Sequence, residues 1–244
     1  MDCYVDFASV YDRLTYDINY KEFVDFVDKI LLRHGKKPKL ILELACGTGN
    51  MTCEFNKKGY DIIGVDNSVD MLSQAREKCP QNLLLLQDMT EFELYGTVDA
   101  IVCLLDSVNY ITDENKLIKM FSLIHNYLEY DGLFVFDINS EYKLRNIIAE
   151  NTFVFDTDDI FYTWENEQQE DSVNFNLTFF VKNNFGTFDK IQETHTEKVY
   201  LVDKLVKMIT ESGLEYVATY ADFSFDEPKT DSERIFIVAR KIKA

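Results

Sequence analysis

From residue 39 to 136 the chain alternates short, unbroken apolar runs with stretches whose apolar residues recur every three or four positions. Such runs fit buried strands, and the periodic stretches fit helices laid across a parallel sheet. The runs at 39–44, 61–65, 83–86, 98–104 and 133–137 predict five strands. Between them, helices are expected over 48–58, ended by Gly59, over 68–78 with Ser68 as its cap, and over 113–130, stopped by Asp131-Gly132. Upstream, Phe23, Phe26, Val27, Ile30 and Leu31 lie at helical spacing, so residues 7–33 read as one or two helices.

The period changes near Asn151. Residues 153–155, 160–164, 173–181 and 187–196 alternate apolar and polar positions, as half-buried antiparallel strands do, and Asn183-Asn184-Phe185-Gly186 reads as a hairpin turn. A helix over 202–212 follows, ended by Gly213, and two more strands are expected over 214–223 and 234–239. The layout divides into a helical segment over 1–36, an α/β domain built from 37–150 and 197–244, and an antiparallel insertion over 151–196.

Composition narrows the partners. Lys plus Arg is 25 against 43 Asp plus Glu, a net charge of −18. Such a surface repels phosphate backbones, which argues against nucleic acid. The start of the chain, Met1-Asp2-Cys3-Tyr4, shows no basic and apolar leader pattern, and no apolar run approaches membrane-spanning length. Cys3, Cys46, Cys53, Cys79 and Cys103 form neither a CxxC pair nor a metal-ligand spacing, so reduced thiols in a cytoplasmic protein and no metal are expected.

The chemistry concentrates in Glu43-Leu44-Ala45-Cys46-Gly47-Thr48-Gly49-Asn50, between the first strand and the first helix of the sheet. Glycines there let the backbone turn sharply and let a ligand approach. The position also lies at the carboxyl end of a strand, where open α/β sheets bind ligands. Taken alone, the loop also fits a tight βα turn, the lesser of the two readings. Two acids sharpen the reading. Asp66 follows the second strand, where a carboxylate accepts both hydroxyls of a ribose, and its loss is expected to spare the fold. Asp88 follows the third strand in Gln87-Asp88-Met89, placed to accept an adenine amine while Met89 packs on the base.

These residues, with the segment Leu104-Leu105-Asp106-Ser107-Val108-Asn109-Tyr110, fall in the order and spacing of the class I S-adenosylmethionine-dependent methyltransferases, which the chain resembles. Phe7-Ala8-Ser9-Val10-Tyr11-Asp12 and the inserted sheet are similar to small bacterial methyltransferases with a glycine N-methyltransferase-like layout. The resemblance implies a doubly wound, mostly parallel seven-stranded sheet with an N-terminal helical lid, an antiparallel closing hairpin and S-adenosylmethionine as cofactor. It places the backbone around Gly47 and Leu104 at the methionyl end, Glu43 near its ammonium group and Asp66 at the ribose, with Ala45, Cys46, Asn67, Met71, Asp106 and Ser107 also among the cofactor-binding residues. Gln87, Asp88 and Met89 fall beside the adenine, with Tyr11 and Tyr20 in the lid, joined there by Phe23. Ala45 stands where the family often has glycine, which a negative φ would permit.

A nicotinamide-dependent oxidoreductase is the rival enzyme class, but its G-x-G-x-x-G frame is missing here. A non-catalytic nucleoside-binding module is the other alternative. The acceptor is expected to be a small molecule, and the protein a monomer or homodimer. Asp106, Tyr110 and Tyr11 are the catalytic candidates. Asn109, Asn139, Tyr162, Trp164 and His195 are further acceptor-site candidates, although a lone Trp fits a core and His195 fits a solvated strand face. Tyr162 and Trp164 are two apart and share one face of their strand.

Overall fold

The computed structural model describes residues 7–183 and 185–243, so Cys3 and Asn184 lie outside the described residues. Two helices come first, α1 (Phe7–Leu14) and α2 (Tyr20–Arg33). Asn19 caps α2 by accepting the Glu22 N–H at 3.2 Å, and the helix buries Phe23, Phe26, Val27, Ile30 and Leu31 along one stripe.

The sheet is assembled from β1 (Leu40–Leu44), β2 (Asp61–Asp66), β3 (Leu83–Leu86), β4 (Val98–Cys103) and β5 (Leu128–Asn139), alternating with α3 (Asn50–Lys57), α4 (Val69–Lys78) and α5 (Glu114–Tyr127). These strands pair in parallel in the order β3-β2-β1-β4-β5. Strand order reverses between β1 and β4, which opens a crevice at their carboxyl ends. Both faces are covered. Phe134, Phe136 and Ile138 of β5 pack with Leu117, Phe121 and Ile124 of α5, while Leu133 and Val135 point the other way into the core shared with α2 and α3.

Four strands follow as a separate antiparallel sheet, β6 (Phe153–Asp156), β7 (Ile160–Gln168), β8 (Ser172–Lys182) and β9 (Phe188–Lys198). Helix α6 (Val202–Glu211) leads to β10 (Leu214–Ala221) and β11 (Arg234–Lys241), and β11 lies antiparallel between β5 and β10 to complete seven strands. Among the described residues no helix is long and apolar enough to cross a membrane.

Three expectations change. The helix predicted to reach residue 130 ends at Tyr127, because Leu128 is fully buried and pairs with Val98 as β5 begins. Asp131-Gly132 therefore bends a strand, with Asp131 at φ +64, instead of stopping a helix. A π-helical turn over Lys143–Ile148 was not expected; it buries Leu144 and Ile148 against Val173 and Phe175 and so seats the inserted sheet. Cys53 and Cys79 are not free thiols but a disulfide joining α3 to the end of α4, with Cα atoms 6.1 Å apart. Gly49 brings the two helices close, since a Cβ there would sit 3.0 Å from the Ala75 Cβ. Cys46 and Cys103 are free and buried.

Candidate active site

The carboxyl ends of β1, β2, β3 and β4 open into a cleft of about 1440 Å³, which α1, α2 and the inserted sheet also line. The glycine loop forms its floor through an unusual backbone. Gly47 and Gly49 have φ of +53° and +78°, and Ala45 has +55°, not the negative value expected of it. The loop needs a left-handed residue directly after β1, and alanine takes that conformation at a cost of about 1–2 kcal/mol. A Cβ on Gly47 would meet no atom within 4 Å, so the cleft is open at this point for a ligand to lie against the backbone.

Asp66 fastens the loop. One carboxylate oxygen accepts the Gly47 N–H at 2.8 Å and the other accepts the Ser68 N–H at 2.9 Å. Burial pushes this carboxyl above its usual range, against the backbone N–H groups that favour its charge. Asp88 accepts both the N–H and the hydroxyl of Thr90 at 2.7 Å, and Met89, Asn67 and Met71 line the cleft nearby. Gln87 does not line it; its side chain holds the Glu93 backbone instead, accepting that N–H at 2.8 Å. Glu43 lies buried beneath the loop, accepting the Thr52 hydroxyl at 2.5 Å, and burial pushes it up to about 8. Burial thus disfavours its charged form, and Glu43 also lines the cleft.

The N-terminal helices close over this floor. Asp12 accepts the Thr48 hydroxyl at 2.6 Å and the Asn50 amide at 2.9 Å, and it pairs with Lys78. Tyr11, Tyr20 and Phe23 line the cleft, and Tyr20 donates to the Thr15 hydroxyl at 2.8 Å. Burial, then Tyr20 and Asp106, hold the Tyr11 phenol above its usual range, so it is a donor and not a base near neutrality.

The loop after β4 is strained as well, with Leu105 at φ +56 and Asp106 at +51. Asp137 of β5 compensates. Fully buried, it accepts the N–H groups of Leu105 and Asp106 at 2.8 and 3.0 Å and pairs with Arg234. Arg234 also meets Asp106 at 2.9 Å and lies over the Phe23 ring at 5.1 Å. The Ser107 hydroxyl donates to Leu104 O at 2.7 Å, closing the turn.

Comparison with known proteins decides what this arrangement is. The sequence model of a methyltransferase-domain family matches residues 41–132. A protein of Bacillus subtilis (strain 168) named as a methyltransferase is 34% identical over 98% of this chain and 98% of its own length. The crystal structure of a S-adenosylmethionine-dependent methyltransferase from Clostridium acetobutylicum ATCC 824 is 33% identical, covers 99% of this chain and 100% of its own, and superposes with a TM-score of 0.89. The chain belongs to the class I S-adenosylmethionine-dependent methyltransferases. A dTDP-3-amino-3,4,6-trideoxy-alpha-D-glucopyranose N,N-dimethyltransferase of Streptomyces venezuelae is a further relative, 33% identical over 54% of this chain and 56% of its own.

In this methyltransferase the inserted sheet forms the wall of the cleft facing the strand-end loops. Tyr162 and Trp164 do share a face, and both line the cleft. Trp164 is half-buried against Phe153 and Phe175, and its Nε1 is buried with no hydrogen-bond partner among the described residues. His195 is not solvated as expected: it lines the cleft and packs edge-on against Tyr110, with ring centroids 5.9 Å apart. Asn109 is no acceptor group, since it is fully buried and clips β5 to β9 through Asn139 and the Lys198 carbonyl. Asn139 lines the cleft and donates to Glu197 at 2.9 Å.

Sequence reasoning missed Asp12, Asp137, Lys143, Glu197 and Arg234. Asp137 carried a signal, a carboxylate ending the apolar run Leu133-Phe134-Val135-Phe136, and Asp12 closes the N-terminal motif without a role having been read for it. Lys143, Glu197 and Arg234 meet only through the packing of the π-helical turn, the inserted sheet and β11 around the turn after β4, and Asp12 reaches the cleft floor through α1 and its bonds to Thr48 and Asn50.

Proposed function

We propose that this methyltransferase acts on a small-molecule acceptor held between the strand-end loops and the inserted sheet. The carrying observation is that Tyr162, Trp164 and His195 of the insertion line the same cleft as Gly47, Asp66 and Asp88. Residues 151–196 then serve as the acceptor lobe, residues 37–150 and 197–244 as the cofactor domain, and residues 1–36 as the lid. The Streptomyces venezuelae relative is named for methylating the amine of a sugar nucleotide, which supports a small acceptor, and the net charge of −18 weighs against a polyanion.

The residues present fit S-adenosylmethionine. The open space over Gly47 admits the methionyl end beside backbone N–H groups, with the Leu104 segment opposite. Asp66 is placed for the ribose hydroxyls, and Asp88 with Met89 for the adenine. When bound, the cofactor supplies a methyl group on a sulfonium whose departure leaves a neutral thioether. The chain's task is therefore alignment and exclusion of water, which the Asp12 latch and the aromatic wall serve.

Incubation with radiolabelled S-adenosylmethionine and a cell extract tests the reading. Label should accumulate in dialysable small molecules. Label confined to protein or RNA would refute it. Replacing Tyr162 and Trp164 together by Ala should leave S-adenosylhomocysteine affinity within about threefold while this transfer collapses.

A further inference from the structure

The disulfide lies where the glycine loop, α4 and the N-terminal lid meet. Cys53 is on the first turn of α3, which starts from Gly49 of the loop, and Cys79 closes the end of α4. The bond touches the loop itself. The Cys79 sulfur is 3.5 Å from the Gly49 carbonyl oxygen, and the Cys53 N–H donates to that oxygen at 2.9 Å. Lys78, the neighbour of Cys79, donates to Asn50 at 2.7 Å and pairs with Asp12 of α1. Asp12 in turn accepts from Thr48 and Asn50. Loop, helices and lid are thus joined within a few residues of the two sulfurs, and Thr48, Asn50 and Tyr11 line the cleft.

Reduction replaces one covalent bond by two thiols in van der Waals contact, so the sulfurs must part. Cys79 is fully buried, and Gly49 already abuts Ala75 of α4, which leaves the side chain little room to rotate. The separation therefore falls on the start of α3 and the end of α4. Lys78 moves with the end of α4, away from Asp12 and Asn50. Cys53 is only half-buried, so an attacking thiolate reaches its sulfur first.

We propose that Cys53 and Cys79 form a redox switch on cofactor binding, in which the oxidised protein holds the nucleoside tightly and reduction loosens the glycine loop and frees the lid. The inference rests on the placement of the nucleoside in this cleft. The chemical step is thiol–disulfide exchange with a low-molecular-weight disulfide, glutathione disulfide being the probe used below. Two protein thiols and one glutathione disulfide become one protein disulfide and two glutathione thiols. The protein sulfurs give up two electrons and two protons, and the glutathione sulfurs take them. Linkage makes the switch reciprocal: a bond that favours the nucleoside is favoured by the nucleoside to the same extent.

Calorimetry on the whole chain tests this without knowledge of the acceptor. S-adenosylhomocysteine should bind the oxidised protein at least about fivefold more tightly than the dithiothreitol-reduced protein, the lower end of coupling between sites. Thiol labelling verifies the two states. Cys53→Ser should bind as the reduced protein does and ignore dithiothreitol. In glutathione buffers, saturating nucleoside should raise the ratio of squared glutathione to glutathione disulfide at half-reduction by the same factor. Hydrogen exchange separates a switch from a staple that only restricts the unfolded chain. On reduction, amides of residues 47–53 and 11–14 should exchange faster. Acceleration confined to β4 and β5, whose core amides exchange through unfolding, would make the bond a staple and overturn the switch. Equal affinities in the two states, or a dithiothreitol effect that survives in Cys53→Ser, would overturn it as well. No nucleoside binding in either state would instead overturn the placement of the cofactor, and the switch with it.

Discussion

Asp66 accepts the backbone N–H of Gly47 at 2.8 Å, so the carboxylate that ends β2 holds the loop that ends β1. The same side chain holds Ser68 at the start of α4. Asp66 is thus part of the scaffold as well as the candidate ribose ligand, and its removal touches both. In Asp66→Ala two backbone donors lose their acceptor, which should cost about 1–3 kcal/mol of stability in ligand-free urea unfolding. S-adenosylhomocysteine affinity measured by calorimetry should fall by roughly 1.5–3 kcal/mol. A folded variant that binds the nucleoside as tightly as the parent would refute the ribose assignment.

Ala45 is a second place where the scaffold bears a cost for the site. Its φ of +55° is a glycine conformation occupied by a residue with a Cβ. Ala45→Gly relieves that strain but adds freedom to the unfolded chain, leaving a net gain of about 0.5–1 kcal/mol. For a chain of this size the melting temperature should rise by about 1–4 °C. A lower melting temperature would show that the loop does not hold Ala45 in the left-handed region.

Legibility followed sequence distance. The strand-end side of the cleft was readable because each group sits at the end of a strand whose apolar run is visible, so Asp66 and Asp88 could be placed on its lining. Gln87 was misplaced because neighbours on a loop need not face the same way. The acceptor half was not readable. Glu197 and Asp106 are far apart in the chain, and both line one cleft only because β9 packs on the turn after β4. Asn109 reads as a polar residue at a strand end, yet it serves that same packing by clipping two elements together. Cys53 and Cys79 illustrate the limit from another side: their pairing follows from the approach of α3 to α4 at Gly49, which no spacing rule encodes.

That disulfide spans 26 residues and ties together the two helices that begin beside the glycine loop and Asp66. Closing a loop of this length restricts the unfolded chain by about 3.5 kcal/mol. Dithiothreitol should therefore lower the urea midpoint of the parent protein, whereas Cys53→Ser should start from the lower value and not respond. A parent midpoint unmoved by the reductant, with thiol labelling showing both cysteines reduced, would show that the bond adds no stability.

The last prediction concerns Glu43 and the pH dependence of stability. Burial beneath the glycine loop raises this carboxyl from its ordinary value of 4.5 to about 8, with the Thr52 hydroxyl opposing the shift and the Asp66 charge adding to it. Between those two values the folded protein keeps a proton on Glu43 that the unfolded chain has released. Stability from this group is therefore fully present below pH 4.5 and is lost as pH rises towards 8, at about 1.4 kcal/mol per pH unit. Glu43→Gln fills the same space, keeps an oxygen for Thr52 and does not titrate. Many groups contribute to the pH profile of either protein, but they cancel in the difference between the two. That difference, taken from urea unfolding without ligand, should shift in favour of the variant steadily from pH 5 to pH 8 and level off above. A difference that stays flat over this range would mean that Glu43 is ionised in the folded protein, and would make it a fixed charge facing the methionyl end of the cofactor after all.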